Sequence, residues 1–112
     1  MDMVGTVHLA DLHLADFTAC IGATFRMEVG PERWVDATLD EAQRGFADTQ
    51  RNEQFSLVFR AHHDVPVPAR IFRMSSDAVG DVDMFLTPVG RDAGCVLYEA
   101  SFNRLNPEES TR

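Results

Sequence analysis

Between residues 55 and 104 the chain runs through four stretches, FSLVFR, RIFRM, DVDMFLTPV and VLYEASFNR, in which apolar side chains recur at alternate positions. A strand sends successive side chains to opposite faces of a sheet, so this alternation is the pattern of strands with one buried face. Phe55, Leu57 and Phe59 share one face, as do Phe72 and Met74, then Val82, Met84 and Leu86, then Val96, Tyr98, Ala100 and Phe102. The opposite face is polar except at one central position per strand: Val58, Ile71, Phe85 and Leu97. With the strands paired in chain order, these four form an apolar stripe across the outer face. Two readings stand for that stripe: the helix over residues 14–21 covers it, or it is an interaction surface for another subunit.

The first half supplies the remaining elements. Leu14, Phe17 and Ile21 are spaced for one helical face and Gly22 follows as a stop, which predicts a short helix over residues 14–21. TFRMEV and RWVDATL alternate as strands around a Gly30–Pro31 turn, giving a hairpin. Trp34 falls outside the inward register, so it either caps an edge of the core or faces a partner. Residues 40–54 have no clean helical period and read as an extension of the second strand followed by a mobile loop. Pro66 and Pro68 make residues 61–69 an extended connector, and Gly80, Gly90 and Gly94 mark hairpin turns. The expectation is one mainly β domain over residues 1–112: a small antiparallel β-barrel or sandwich of about six strands with one short N-terminal helix. Residues 1–12 are its lead and residues 105–112 a flexible tail.

A chain of 112 residues can bury a core of its own without staples. Its formal charge of −8 works against nucleic acid and anionic membranes, because both are held by clustered positive charge. The apolar runs are far shorter than the roughly 20 residues a bilayer-crossing helix needs, and no basic flank precedes an apolar core at the N-terminus. These features predict a cytoplasmic protein, or one belonging to a larger assembly. Cys20 and Cys95 lack metal or redox spacing and read as free thiols.

Chemistry-bearing residues are few, and each has an ordinary explanation. His62, His63 and Asp64 could converge on a metal, as could His8, Asp11 and His13, but no second ligand pair stands at a matching spacing. Both clusters read as solvated loop residues. Cys20 lacks a partner base in sequence and reads as structural. Asp81, Asp83 and Glu99 share the outer face with Arg60, Arg70 and Arg73, which predicts cross-strand ion pairs rather than a carboxylate site. Asn103 and Arg104 close the last strand, where Asn103 is expected to tie down a turn. No catalytic residue, metal or cofactor is predicted.

FSLVFR, FLTPVGRD and YEASFNR, in this order, resemble a family of about a hundred residues, the domains of unknown function DUF6916. LADFTACIGATFRM extends the likeness towards the N-terminus. Pro68, Ala69, Arg70, Ile71 and Phe72 depart from the family's Pro-Gln-Gly-Thr-Tyr, which removes its turn glycine. The resemblance implies a compact bacterial β domain without an established enzyme activity, in relatives encoded near phage-tail-like fibre proteins. Together with the stripe, it leads to the expectation of a non-enzymatic module acting through a protein partner or as a homo-oligomer. Two alternatives stand beside it: a barrel holding an apolar ligand among Phe55, Phe59, Phe72 and Tyr98, and a metal-dependent enzyme built on the histidine loops.

Overall fold

The computed structural model describes residues 9, 12–46, 49 and 52–105, with Leu105 described in its main chain alone. One short helix, α1 (Leu14–Thr18), precedes six strands: β1 (Thr24–Gly30), β2 (Arg33–Arg44), β3 (Asn52–Ala61), β4 (Arg70–Ser76), β5 (Gly80–Asp92) and β6 (Cys95–Leu105). The sheet closes on itself as an antiparallel barrel in the order β1-β2-β3-β6-β5-β4. The pairing of Met27 with Met74 between β1 and β4 joins its two ends. Every alternating stretch is a strand, because its apolar row faces the interior: Phe25, Met27, Leu39, Phe55, Leu57, Phe59, Phe72, Met74, Val82, Met84, Leu86, Val96 and Tyr98 are all buried.

Hairpins join β1 to β2, β2 to β3, β4 to β5 and β5 to β6, with short turns after β1, β4 and β5. At the β5–β6 turn Asp92 faces Cys95, and the two residues between them, Ala93 and Gly94, have φ of 54° and 82°. That is the left-handed pair of a two-residue hairpin, which glycine adopts freely and alanine does not. Gly90, expected in the turn, lies instead within β5 at a register shift between Pro88 and Gly90. A β-carbon there would stand 3.7 Å from Leu97 Cδ1, so Leu97 lies across the space that glycine leaves.

Three other expectations are corrected. The helix ends at Thr18 rather than Ile21, and Ile21 is exposed. The cause is the sheet: Gly22 N–H donates to Leu39 O at 2.8 Å and Leu39 N–H to Ala23 O at 3.1 Å, so the chain is drawn into pairing with β2 almost as soon as the first turn is complete. The strand extension expected after Leu39 is present, since β2 runs to Arg44, but the loop is shorter than expected: β3 starts at Asn52, Gly45 N–H donates to Gln54 O at 2.8 Å, and Thr49 and Asn52 bond each other's backbones. Residues 47, 48, 50 and 51 of that expected loop lie outside the described residues, as does the tail beyond Leu105, which itself ends β6. Finally, β3 and β4 are not neighbours. The connector 62–69 carries the chain past β6 and β5, so the strands do not pair in chain order.

Both mouths of the barrel are closed by the chain itself. At one, Phe17 of α1 rests on Phe55 and Phe102, with ring centroids 6.1 and 6.3 Å away, above a Phe55–Phe102 stack at 4.5 Å. A helix of five residues cannot persist in water unaided, and this burial is what holds it. At the other mouth the Tyr98 hydroxyl accepts the Val67 N–H and bonds His63 Nε2, both at 3.0 Å, which pins the proline-rich connector across the opening.

Candidate interaction surface

The register decides how the four outer apolar residues stand. Ile71 and Phe85 are direct cross-strand partners on β4 and β5. Val58 faces Glu99, which faces Thr87 in turn; Leu97 faces Arg60 on one side and Gly90 on the other. Thr87 is two residues beyond Phe85 on the same outer face, and Gly90 lies beyond Thr87. The four therefore fall in three successive rows, and the single stripe expected from pairing in chain order does not form. Exposure separates them further. Ile71 and Phe85 are 62% and 57% exposed, whereas Val58 and Leu97 are half-buried among their neighbours. Helix α1 lies over a mouth and leaves the Ile71–Phe85 pair open.

Polar and charged side chains border this pair on one side. Arg73 and Asp83, the next outward partners along β4 and β5, form a two-point ion pair, and the Ser75 hydroxyl donates to Asp81 at 2.7 Å. Asp83 holds the Arg73 guanidinium above its ordinary range. Arg60 reaches Asp40 at 3.0 Å and Asp92 at 2.8 Å, so its predicted ion pairing is real but its partners are neither Asp81 nor Asp83. On the β1–β2 side, Trp34 is partly exposed, with the Arg26 guanidinium 5.7 Å from its ring centroid.

Two polar constellations were not anticipated. The inward rows of β3 and β6 run past Phe55 and Phe102 to Glu53 and Arg104, which face each other in register at the mouth covered by α1. Arg104 donates to the Leu9 and Leu12 carbonyls and to Glu53 Oε1, and its guanidinium lies 5.6 and 5.5 Å from the Phe55 and Phe102 ring centroids. Glu53 also accepts the Leu14 N–H at 3.1 Å and bonds His13 Nδ1 at 2.9 Å. Burial alone would raise the Glu53 carboxyl, but the bonds from His13 and Leu14 and the His13 and Arg104 charges outweigh it, and its pKa is lowered. Opposite charges at matched ends of the two inward rows were the available signal. The second constellation, Thr38–His62–Cys95, has His62 Nε2 at 3.2 Å from Thr38 Oγ1 and His62 Nδ1 at 3.5 Å from Cys95 Sγ.

The remaining candidates separate. His63 serves Tyr98, and its pKa is lowered by burial and then by the Arg33 charge against the opposing pull of Asp64. Asp64 offers its carbonyl to Arg91. The described residues contain no group of three or more metal-ligating side chains; His8 and Asp11 lie outside them. Cys20 is buried, donates to Asp16 O at 3.5 Å, and has its pKa raised by burial and by the Asp16 charge. Asn103 pairs in register with Gln54 inside β6 rather than closing a turn.

A family model described as a domain of unknown function, DUF6916, matches residues 12–102. The chain belongs to this family. No curated protein and no solved structure matches it. In this DUF6916 domain the matched span contains α1, the first five strands and most of β6, together with Ile71 and Phe85. Among the described residues no helix is long and apolar enough to cross a membrane.

Proposed function

We propose that this DUF6916 domain is a non-enzymatic interaction module that docks a partner protein on the outer face of β4 and β5. The observation that carries the reading is the Ile71–Phe85 pair, two large apolar side chains directly opposed and each more than half exposed. Exposed apolar side chains set beside polar groups are the form association sites take, and here the Arg73–Asp83 ion pair borders them on one side. The partner proposed is a different protein with an apolar patch and a basic or neutral rim, since a formal charge of −8 disfavours the encounter of two copies. The finer reading, an accessory of a phage-tail-like or fibre-like assembly, rests on the family resemblance alone.

The test compares tagged wild-type protein with Phe85→Asp and, as a control, Val65→Asp on the exposed connector. The wild type and the Val65 variant are expected to retain the same partner, and Phe85→Asp to lose it while keeping its melting temperature. Equal recovery with all three, or a wild-type homo-oligomer in light scattering, overturns the reading.

A further inference from the structure

The outer face near the connector mouth carries a polar cluster separate from the docking face. Cys95 begins β6, directly after the tight turn, and His62 follows the last residue of β3. Since Ala61 faces Val96, the register brings the next residues outward, His62 and Cys95, side by side, and places His62 Nδ1 3.5 Å from Cys95 Sγ. Backbone bonding fixes the imidazole's base, His62 N–H donating to Asp36 O at 2.8 Å. Its far nitrogen is held by Thr38 Oγ1 of β2 at 3.2 Å. A thiol, a base within reach of it and a third group orienting the base are the parts that activate a nucleophilic sulfur. Three separate chain segments supply them.

We propose that Cys95, His62 and Thr38 form a thiol modification site at which a small uncharged hydroperoxide reacts with the Cys95 sulfur while His62 takes its proton. His62 works as the tautomer whose Nε2–H donates to Thr38, leaving Nδ1 free to accept from the thiol. Sγ attacks one peroxide oxygen and the O–O bond breaks; sulfur loses two electrons and becomes a sulfenic acid. With hydrogen peroxide the departing hydroxide collects the proton from His62 and leaves as water, so thiol and peroxide yield sulfenic acid and water. Access is open: Cys95 is partly exposed, and nothing lies within 4 Å of where a β-carbon on neighbouring Gly94 would stand. The nearest carboxylate in register, Asp92, is engaged by Arg60 at 2.8 Å, which offsets the negative charge beside the reacting sulfur. Cys20, buried and bonded to Asp16 O, is an internal control for an unactivated thiol in the same molecule.

The full chain is treated with hydrogen peroxide in the presence of dimedone, and the adducts are followed by intact mass and peptide mapping. One adduct on Cys95 is expected, with Cys20 silent until the protein is unfolded. His62→Gln should slow the reaction about tenfold, added imidazole should restore part of the rate, and Thr38→Val should slow it less. A His62→Gln rate equal to wild type makes Cys95 an ordinary exposed thiol and overturns the proposal, as does first modification at Cys20. Should His62→Gln fail to fold, Thr38→Val decides: an unchanged rate overturns the proposal and a slower one supports it.

Discussion

Replacing Phe17 by alanine tests how the barrel is closed. Phe17 is the buried residue of a five-residue helix and rests on the Phe55–Phe102 stack, so its removal empties the space beneath the helix and takes away its anchor. Buried Phe→Ala changes cost about 3–5 kcal/mol through lost transfer energy and the cavity left behind. Total stabilities of such domains are about 5–15 kcal/mol, so the change consumes a large share. The polar ties from Glu53 and Arg104 to Leu9, Leu12, His13 and Leu14 are too weak alone to hold a helix that short. Urea unfolding followed by far-ultraviolet circular dichroism should therefore show a loss of about 3–5 kcal/mol. Amide exchange should show Cys20 and Ala23, whose N–H groups bond within this segment, losing protection before the strands do. A loss below about 1 kcal/mol with unchanged exchange would mean that the helix is not the plug described here.

Other outcomes follow from the same geometry. Tyr98→Phe should lower stability by about 1–2 kcal/mol in urea, because the Val67 N–H and His63 both lose the hydroxyl they share. Ala93→Asn places an Asn-Gly pair in the left-handed turn, and the melting curve should show a gain of about 1 kcal/mol. Stability should fall in two stages on acidification. His63 has a folded pKa below the ordinary 6.5, so the unfolded chain takes up a proton first and its contribution is lost as pH falls below that value. Glu53 has a folded pKa below the ordinary 4.5, so its contribution is fully present above that value and is lost as pH falls through the folded one. Glu53→Gln should abolish the second stage and leave the first, as read in urea titrations at successive pH values. Arg73→Ala should change stability by less than about 1 kcal/mol, since its ion pair with Asp83 is largely in water.

What the sequence disclosed here was which side of each strand is greasy, and what it withheld was which strand lies beside which. Period-two alternation assigns Phe55, Phe72, Met84 and Tyr98 to the interior, where all of them are found. It carries no information about neighbours, and so a single outer stripe follows from it only on the assumption that β3 sits beside β4. The connector 62–69 breaks that assumption, and Val58 and Leu97 leave the row of Ile71 and Phe85. Helix length is hidden from the sequence for a similar reason: Ile21 keeps helical spacing, but Leu39, eighteen residues away, claims the backbone of Gly22 and Ala23. The polar pair Glu53–Arg104 was legible in principle by following both inward rows to their ends. Thr38, His62 and Cys95 were not, because their meeting depends on β2, the end of β3 and β6 being adjacent.

The most direct test of the interaction reading is site-specific photo-crosslinking in the native cells, with a photoreactive phenylalanine analogue at position 85 and, separately, at position 65. The account predicts a discrete higher-mass adduct with one partner protein from position 85 and none from position 65. No adduct from position 85, or the same adducts from both positions, would contradict it.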